Sequence, residues 1–359
     1  MPRAIGAPVT IRRRDANLGK NWALEAEKWA PFRNARFGGK EYEKRRWHIL
    51  VLPPRHAPLP VSWNLNLFPP RIVSPMHKYS VALLTIVLLS PIAQAEKPFF
   101  ADPFLFGVHR GGSHWRPEHT VDTYKEVAER WPNALLEMDV RLTKDGVVVL
   151  HHDSTVNRTT DGDGPIEDLT LAEVQALDAG YDFTRDEGAT FPYRGKGFRI
   201  ATLDEVLTAL PQARWLIEPK TDGGVVAAMA KIVKAHGAEE RILIASFKPA
   251  LVEEAKSLMP KAPTCYTRKT GMKLFAALRA GGETWTNYKP EDDVLSLSRG
   301  MVKQFQITAE EFRQVQAKGV KVQLHTLDTE EELQAAVAMG VDSILSDRPD
   351  VFEKVLNKN

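Results

Sequence analysis

From residue 105 onward, short apolar segments alternate with helix-like segments, and this alternation restricts the chain to an α/β fold with a mainly parallel sheet. The strand candidates number nine: Leu105–Val108, Leu135–Val140, Val147–Leu150, Trp215–Glu218, Ile242–Ser246, Thr264–Thr267, Val294–Ser298, Val320–Thr326 and Ser343–Ser346. A TIM-type (β/α)8 barrel has eight strand positions. We therefore predict such a barrel, with one of the nine candidates outside it. Residues 154–200 interrupt the alternation with a Gly-, Asp- and Thr-rich excursion.

The segment 76–95 has the layout of a secretory signal peptide. His77 and Lys78 form a short basic start, an apolar run follows, and a small-x-small pattern ends the segment. The apolar run is shorter than the roughly 20 residues that a membrane-spanning helix needs. We therefore expect export, with 96–359 as a periplasmic or secreted domain that has no stable membrane anchor. A buried core helix or an uncleaved anchor is the alternative.

Residues 1–75 do not look like a domain. They hold 10 of the 24 prolines and carry 14 Lys/Arg against 5 Asp/Glu, without a sustained helical or strand period. Because a signal peptide acts at the N-terminus, we expect translation to begin at Met76 and 1–75 to be a mis-assigned extension. A disordered basic tail that binds nucleic acid or a membrane is the alternative.

The charge and cysteine content of the chain exclude several classes of function. Residues 76–359 hold 34 Lys/Arg and 41 Asp/Glu, which gives −7. A nucleic-acid substrate requires a basic footprint, so none is expected. The single cysteine, Cys265, excludes both an intramolecular disulfide and a thiolate cluster for zinc.

Carboxylates lie where the second barrel strand and the strand at 215–218 end. Glu137 and Asp139 are two residues apart, so their side chains point to one face of the strand. The carboxyl ends of barrel strands form the active-site face. Together with Glu218 these residues would form an all-oxygen site, which suits Mg²⁺ or Ca²⁺ rather than zinc.

Two histidines and two cations occupy neighbouring strand ends. His109 and His152 would act as a general acid and base pair near neutral pH. Arg110 and Lys220 offer positive charge for a phosphate. A single polar residue at a strand end is often only a cap or a turn. Several together indicate a site for phosphodiester hydrolysis.

Ordered motifs in this region resemble the glycerophosphodiester phosphodiesterase family. In chain order they are His109-Arg110-Gly111-Gly112, Pro117-Glu118-His119-Thr120, Glu137-x-Asp139, Lys144-Asp145-Gly146, His152-Asp153, Arg158-Thr159-Thr160, Ile217-Glu218-Pro219-Lys220, Ser246-Phe247 and Ser346-Asp347-Arg348-Pro349. The resemblance covers roughly 104–352, and its first 50 residues are the most specific.

The resemblance implies a TIM barrel with a small insertion near its mouth, at about 154–200. It also implies divalent-metal-dependent cleavage of glycerophosphodiesters, such as glycerophosphocholine, to glycerol 3-phosphate and an alcohol. The family's roles fall on catalytic His109 and His152, metal ligands Glu137, Asp139 and Glu218, and phosphate-binding Arg110 and Lys220.

Two positions depart from the family pattern. His119 stands where the family usually has Asn, and 325–328 read His-Thr-Leu-Asp where an aromatic residue usually precedes Thr-Val-Asn. The preferred headgroup is therefore left open. Strand alternation places His151 and His152 on opposite faces. We choose His152 because Asp153 follows it, as in the motif.

Two other functions stay open at this point. One is a phospholipase D-like enzyme that acts on lysolipids, although residues 96–359 hold no amphipathic or aromatic-rich stretch for membrane docking. The other is a non-catalytic phosphodiester-binding protein, which we would expect to have lost part of the catalytic set. The sequence reveals neither the oligomeric state nor whether water attacks directly or a cyclic phosphate forms first.

Overall fold

A computed structural model of the chain describes residues 97–103 and 105–357. The predictions for 1–75 and for the signal peptide 76–95 concern residues outside these ranges. Within the described ranges, every helix falls short of the length and apolar character needed to cross a membrane.

Parallel strands form a curled sheet that is wrapped by helices. The strands are β1 (Phe106–Val108), β2 (Leu135–Leu142), β3 (Val148–Leu150), β4 (Arg214–Pro219), β5 (Ile242–Ile244), β6 (Val294–Ser298), β7 (Lys321–His325) and β8 (Ser343–Ser346). Seven of them pair in the order β5-β4-β2-β1-β8-β7-β6. This curled parallel sheet is the wall of a TIM-type barrel, as predicted.

Two residues close the ring between β5 and β6. Thr264 forms a parallel bridge with Ile244, and Cys265 forms one with Val294. The N–H of Cys265 donates to the carbonyl of Ile244 at 2.7 Å, and that of Val294 donates to Thr264 at 3.1 Å. The weak strand predicted at 264–267 therefore supplies the eighth position, although only two of its residues pair.

The ninth strand candidate, β3, lies outside the ring. It pairs antiparallel with β2, across a turn in which Gly146 adopts a φ of +78°. The β3 residues are fully apolar because both sides are covered. Val148 and Leu150 pack in the main core, whereas Val149 packs against the insertion residues Val156, Ile166, Val174 and Ile200.

Helices cover the outside of the barrel and begin mostly at threonine caps. They are α1 (Val121–Arg130), α2 (Leu171–Ala176), α3 (Leu203–Ala209), α4 (Val225–Ala235), α5 (Pro249–Leu258), α6 (Arg268–Ala280), α7 (Gly282–Asn287), α8 (Arg299–Gln304), α9 (Ala309–Gln316), α10 (Glu330–Ala338) and α11 (Pro349–Leu356). Capping boxes at Thr170, Thr202, Thr308 and Thr329 satisfy the first N–H groups of their helices.

The inside of the barrel is mostly apolar at its lower end, with Gln323 and Ser343 as buried polar residues, and it is charged at its mouth. A layer of buried side chains fills the lower end: Phe99, Leu135, Leu216, Leu243, Cys265, Val294 and Leu345. Two residues further along β2 and β4, the same inward face carries Glu137 and Glu218. Because side chains alternate with a period of two, the inward face of each of these strands changes from apolar at the lower end to charged at the mouth.

Candidate active site

His109 leaves β1 in a tight turn. Arg110 has a φ of +53°, and Gly112 has a φ of +88°. A Cβ atom on Gly112 would lie 2.9 Å from Cδ of Pro349. Only glycine fits there, because the turn has both a left-handed backbone and a close neighbour. The turn thereby sets the position of the His109 imidazole at the mouth.

Two carboxylates face the His109 ring. Nδ1 lies 2.7 Å from Oδ1 of Asp347, which directly follows β8. Ser113 donates its hydroxyl to the same oxygen at 2.6 Å. Nε2 lies 3.8 Å from Oε2 of Glu137. Burial disfavours the imidazolium, but Glu137 and Asp347 outweigh it and raise the pKa of His109 to about 9.

His152 has a similar carboxylate partner. Its Nδ1 lies 2.6 Å from Oδ1 of Asp153, and Arg158 donates to the other oxygen of Asp153 at 2.6 Å. Arg158 also binds both oxygens of the buried Glu118, at 3.0 and 2.7 Å. Burial lowers the pKa of His152, and the nearby Arg110 adds to this effect. The neutral imidazole is therefore favoured.

Of the two adjacent histidines, the structure places His152 beside the other candidate residues. His151 is buried, and its Nε2 lies 2.9 Å from the backbone carbonyl of Thr155 in the insertion. His152 is only half-buried, and Asp139 is close enough to affect its pKa. The two histidines have different surroundings although β3 ends at Leu150, before both of them.

The three predicted carboxylates converge at the mouth. Glu137, Asp139 and Glu218 each offer an oxygen, and these oxygens all lie within 4.8 Å of one another. The register of β2 and β4 pairs Asp139 with Glu218. The backbone N–H of Arg110 donates to Glu137 at 2.7 Å. Burial and the charge of Asp139 raise the pKa of Glu137 to about 8.

Both predicted phosphate-binding cations contact this carboxylate cluster. Nζ of Lys220 lies 2.9 Å from Asp139 and 2.9 Å from Glu218. Nε of Arg110 lies 3.2 Å from Oδ2 of Asp139. The structure therefore brings all seven predicted residues to one mouth, with the cations ion-paired to the carboxylates.

The cluster is suited to a hard divalent cation. Its donors are carboxylate oxygens, which Mg²⁺ and Ca²⁺ prefer. Oδ2 of Asp139 is buried and has no hydrogen-bond partner among the described residues. The same oxygen lies 3.2 Å from Nε of Arg110 in an ion pair. A buried carboxylate oxygen that lacks a hydrogen bond and lies near two other carboxylates is the arrangement expected of metal ligands.

Four supporting residues were given no role in the sequence analysis. They are Glu118, His119, Arg158 and Asp347. His119 is buried, and its Nε2 accepts the N–H of Asp139 at 3.1 Å, so it holds the backbone of a candidate metal ligand. The feature of the sequence that could have identified them is their position within the family motifs. For Asp347 it was also its place after the last strand.

The arrangement suits acid–base chemistry on an anionic substrate. Each catalytic candidate, His109 and His152, has its Nδ1 held by a carboxylate, which fixes the ring and leaves Nε2 toward the mouth. Carboxylates and cations lie between the elements that carry the two rings. A phosphodiester bound there would meet an acid, a base and positive charge.

A sequence profile of the glycerophosphoryl diester phosphodiesterase family matches residues 109–351. A glycerophosphodiester phosphodiesterase of Caldanaerobacter subterraneus is 32% identical over 256 residues, which cover 70% of this chain and 96% of the relative. A glycerophosphodiester phosphodiesterase of Bacillus subtilis is 27% identical over 293 residues, covering 77% of this chain and 94% of the relative.

Solved structures agree with the sequence matches. A phosphodiesterase of Oleispira antarctica, in complex with the product sn-glycerol-3-phosphate, has a TM-score of 0.58 at 25% identity. The match covers 71% of this chain and 97% of that chain. A glycerophosphodiester phosphodiesterase of Agrobacterium tumefaciens shares the fold, with a TM-score of 0.55 over 69% of this chain and 98% of its own length. The chain therefore belongs to the glycerophosphoryl diester phosphodiesterase family.

Proposed function

We propose that this hydrolase cleaves glycerophosphodiesters to glycerol 3-phosphate and an alcohol. One observation carries the proposal: His109 and His152, each held by a carboxylate, share one barrel mouth with three converging carboxylates. The activity named for the relatives and the glycerol 3-phosphate bound by the Oleispira enzyme support the choice of substrate.

We assign the base to His152 and the acid to His109. His152 is favoured in its neutral form, so its Nε2 would take the proton of the attacking hydroxyl or water. His109 lies against Asp347 and Glu137, which stabilise an imidazolium that would protonate the leaving alkoxide. Both steps use only Nε2, because Nδ1 of each ring is already bonded.

Glu137, Asp139 and Glu218 would hold Mg²⁺ or Ca²⁺. The ion, when bound, would supply positive charge that neutralises a phosphoryl oxygen. Arg110 and Lys220 would bind the remaining phosphate oxygens of the small-molecule substrate.

The test is hydrolysis of glycerophosphocholine with Mg²⁺ or Ca²⁺, followed by ³¹P NMR. We expect glycerol 3-phosphate to appear, and a loss of at least about 100-fold in kcat for His109→Ala and for His152→Ala. Activity that persists in either variant would contradict the histidine roles. Activity on lysophosphatidylcholine alone would favour the phospholipase D-like alternative.

We further propose that the protein acts in the periplasm or outside the cell, after removal of 76–95. The basic, apolar and small-residue order of that segment supports this proposal. N-terminal sequencing of the native protein in cell fractions should give a start at Glu96. Any peptide from 1–75 in the native protein would contradict the proposed start at Met76.

A further inference from the structure

Inside the barrel, three polar side chains from neighbouring strands lead up to His325 at the mouth. Gln323 of β7 is fully buried and pairs in register with Ser296 of β6 and Ser343 of β8. Nε2 of Gln323 lies 3.0 Å from the hydroxyl of Ser343, and its Oε1 lies 2.8 Å from the hydroxyl of Ser296. The hydroxyl of Ser296 also lies 3.0 Å from Nδ1 of His325.

The donors and acceptors in this series of hydrogen bonds determine which nitrogen of His325 carries the proton. Oε1 of Gln323 can only accept, so Ser296 must donate its single hydroxyl proton to it. The hydroxyl of Ser296 can then only accept from His325. Nδ1 of His325 is therefore the protonated nitrogen, and Nε2 carries a lone pair.

The lone pair of His325 lies at the mouth. His325 shares the inward face of β7 with Gln323, two residues further toward the carboxyl end. It is half-buried, and its Nε2 makes no hydrogen bond within the described residues. Burial, together with the positive charges of His109 and Lys220, lowers the pKa of His325 to about 4. The ring is thus neutral at physiological pH.

A neutral acceptor at this position cannot pair with an anionic phosphoryl oxygen, since both atoms would present lone pairs. Its partner must be a donor. In a glycerophosphodiester the only donors on the glycerol moiety are its two hydroxyl groups. We propose that Nε2 of His325 accepts a hydrogen bond from a glycerol hydroxyl and thereby selects glycerol-bearing diesters. This inference rests on the proposed function and names the part of the substrate that is selected.

The experiment combines substitutions of His325 with substrates that lack one glycerol hydroxyl. Wild type, His325→Phe and His325→Gln are assayed on glycerophosphocholine and on the phosphocholine esters of propane-1,2-diol and propane-1,3-diol, each of which lacks one hydroxyl. Phe keeps the ring without the acceptor, and the side-chain oxygen of Gln restores an acceptor. For wild type we expect kcat/KM to fall about tenfold on at least one deoxy substrate, the size of one hydrogen bond. That selectivity should vanish in His325→Phe and return in part in His325→Gln.

The outcomes separate this inference from the proposed function. A wild type that is inactive on all three substrates would overturn the proposed function. An active wild type whose selectivity is unchanged in His325→Phe would overturn only the role of His325. A purely structural loss would lower kcat/KM equally on all three substrates, and it would also count against the proposal.

The tautomer can be measured without activity. In ¹⁵N NMR of the wild-type protein, the imidazole signals that disappear in His325→Phe should show Nδ1 protonated and Nε2 unprotonated. Ser296→Ala removes the acceptor of the Nδ1 proton, so we expect the tautomer preference to weaken in that variant. Protonated Nε2 in wild type would overturn the inference.

Discussion

At the scale of single residues, the two catalytic candidates differ in the charges around them. His109 lies between two buried carboxylates, whereas His152 has one carboxylate that is itself bound to Arg158. The surroundings favour a charged ring in the first case and a neutral ring in the second. Each carboxylate should therefore affect activity in its own way.

Asp347→Asn should lower kcat by on the order of 100-fold with little change in KM, because the imidazolium of His109 loses its closest carboxylate while the side-chain shape is kept. Ser113→Ala is the matched control, since it removes a hydrogen bond to Asp347 but leaves the charge. Steady-state kinetics on glycerophosphocholine measures both variants. A kcat for Asp347→Asn equal to that of wild type would rule out the role of Asp347.

The pH dependence of kcat/KM should report the protonation of His152. Its pKa lies below the ordinary 6.5, so kcat/KM should fall only below pH 6.5, where protonation removes the base. Asp153 raises the pKa of His152, so Asp153→Asn should move this acid limb to still lower pH. Asp168→Asn, at an exposed position in the insertion that follows Asp153, should leave the acid limb in place. A shift to higher pH in Asp153→Asn would contradict the assignment.

The candidate site residues could be predicted from the sequence where strand position or a family motif identifies them. Strand alternation places Glu137 and Asp139 on one face, and His152 was chosen because Asp153 follows it, as in the motif. The proposed role of His325 could not be predicted, because its tautomer depends on hydrogen bonds of Ser296 and Gln323, which lie on neighbouring strands. Hydrogen bonds between side chains of different strands leave no local trace in the sequence.

At the scale of elements, the turn after β1 shows how one glycine positions the side chain of His109, a catalytic candidate. Gly112 combines a left-handed backbone with a close neighbour on α11, whereas Gly319 has a similar φ of +84° and open space around it. Substituting each glycine in turn would therefore distinguish the destabilisation caused by the backbone conformation from that caused by crowding.

Gly319→Ala should lower the free energy of unfolding by about 1–2 kcal/mol, the cost of the left-handed backbone for a residue with a Cβ. Gly112→Ala should lower it by a further 1–3 kcal/mol or so, because the new methyl group meets Pro349. It should also lower kcat, since His109 would shift. Urea unfolding and kinetics give the comparison, and equal losses of stability in the two variants would show that crowding is unimportant.

Most strands could be predicted because buried strands appear in the sequence as short apolar segments. The strand predicted over 294–298 is observed as β6 with the same bounds. Helices α7, α8 and α11 are only six to eight residues long. Such lengths barely exceed one or two helical turns, so packing rather than pattern determines them.

At the scale of the whole molecule, a bound metal would link stability to activity. Removal of divalent metal with EDTA should abolish hydrolysis, and Mg²⁺ or Ca²⁺ should restore it. An ion at about 100 times its Kd should stabilise the fold by about 2.7 kcal/mol, which a rise in Tm would report. Glu218→Gln should lose both effects, while the exposed Glu283→Gln should keep them. An EDTA-insensitive wild type would contradict the metal site.

Because the barrel is closed by only Thr264 and Cys265, this part of the wall should open locally more easily than the part formed by β2 and β4. β2 and β4 are joined along six residue pairs, whereas the closing segment contributes two bridges. In native-state hydrogen exchange, segments with fewer mutually supporting backbone bonds open at a lower free energy. The amides of Cys265 and Val294 should therefore exchange before those of β2 and β4. The segment at Thr264 and Cys265 lies across the ring from β1. Local opening at this segment would therefore leave the part of the wall that carries His109 closed.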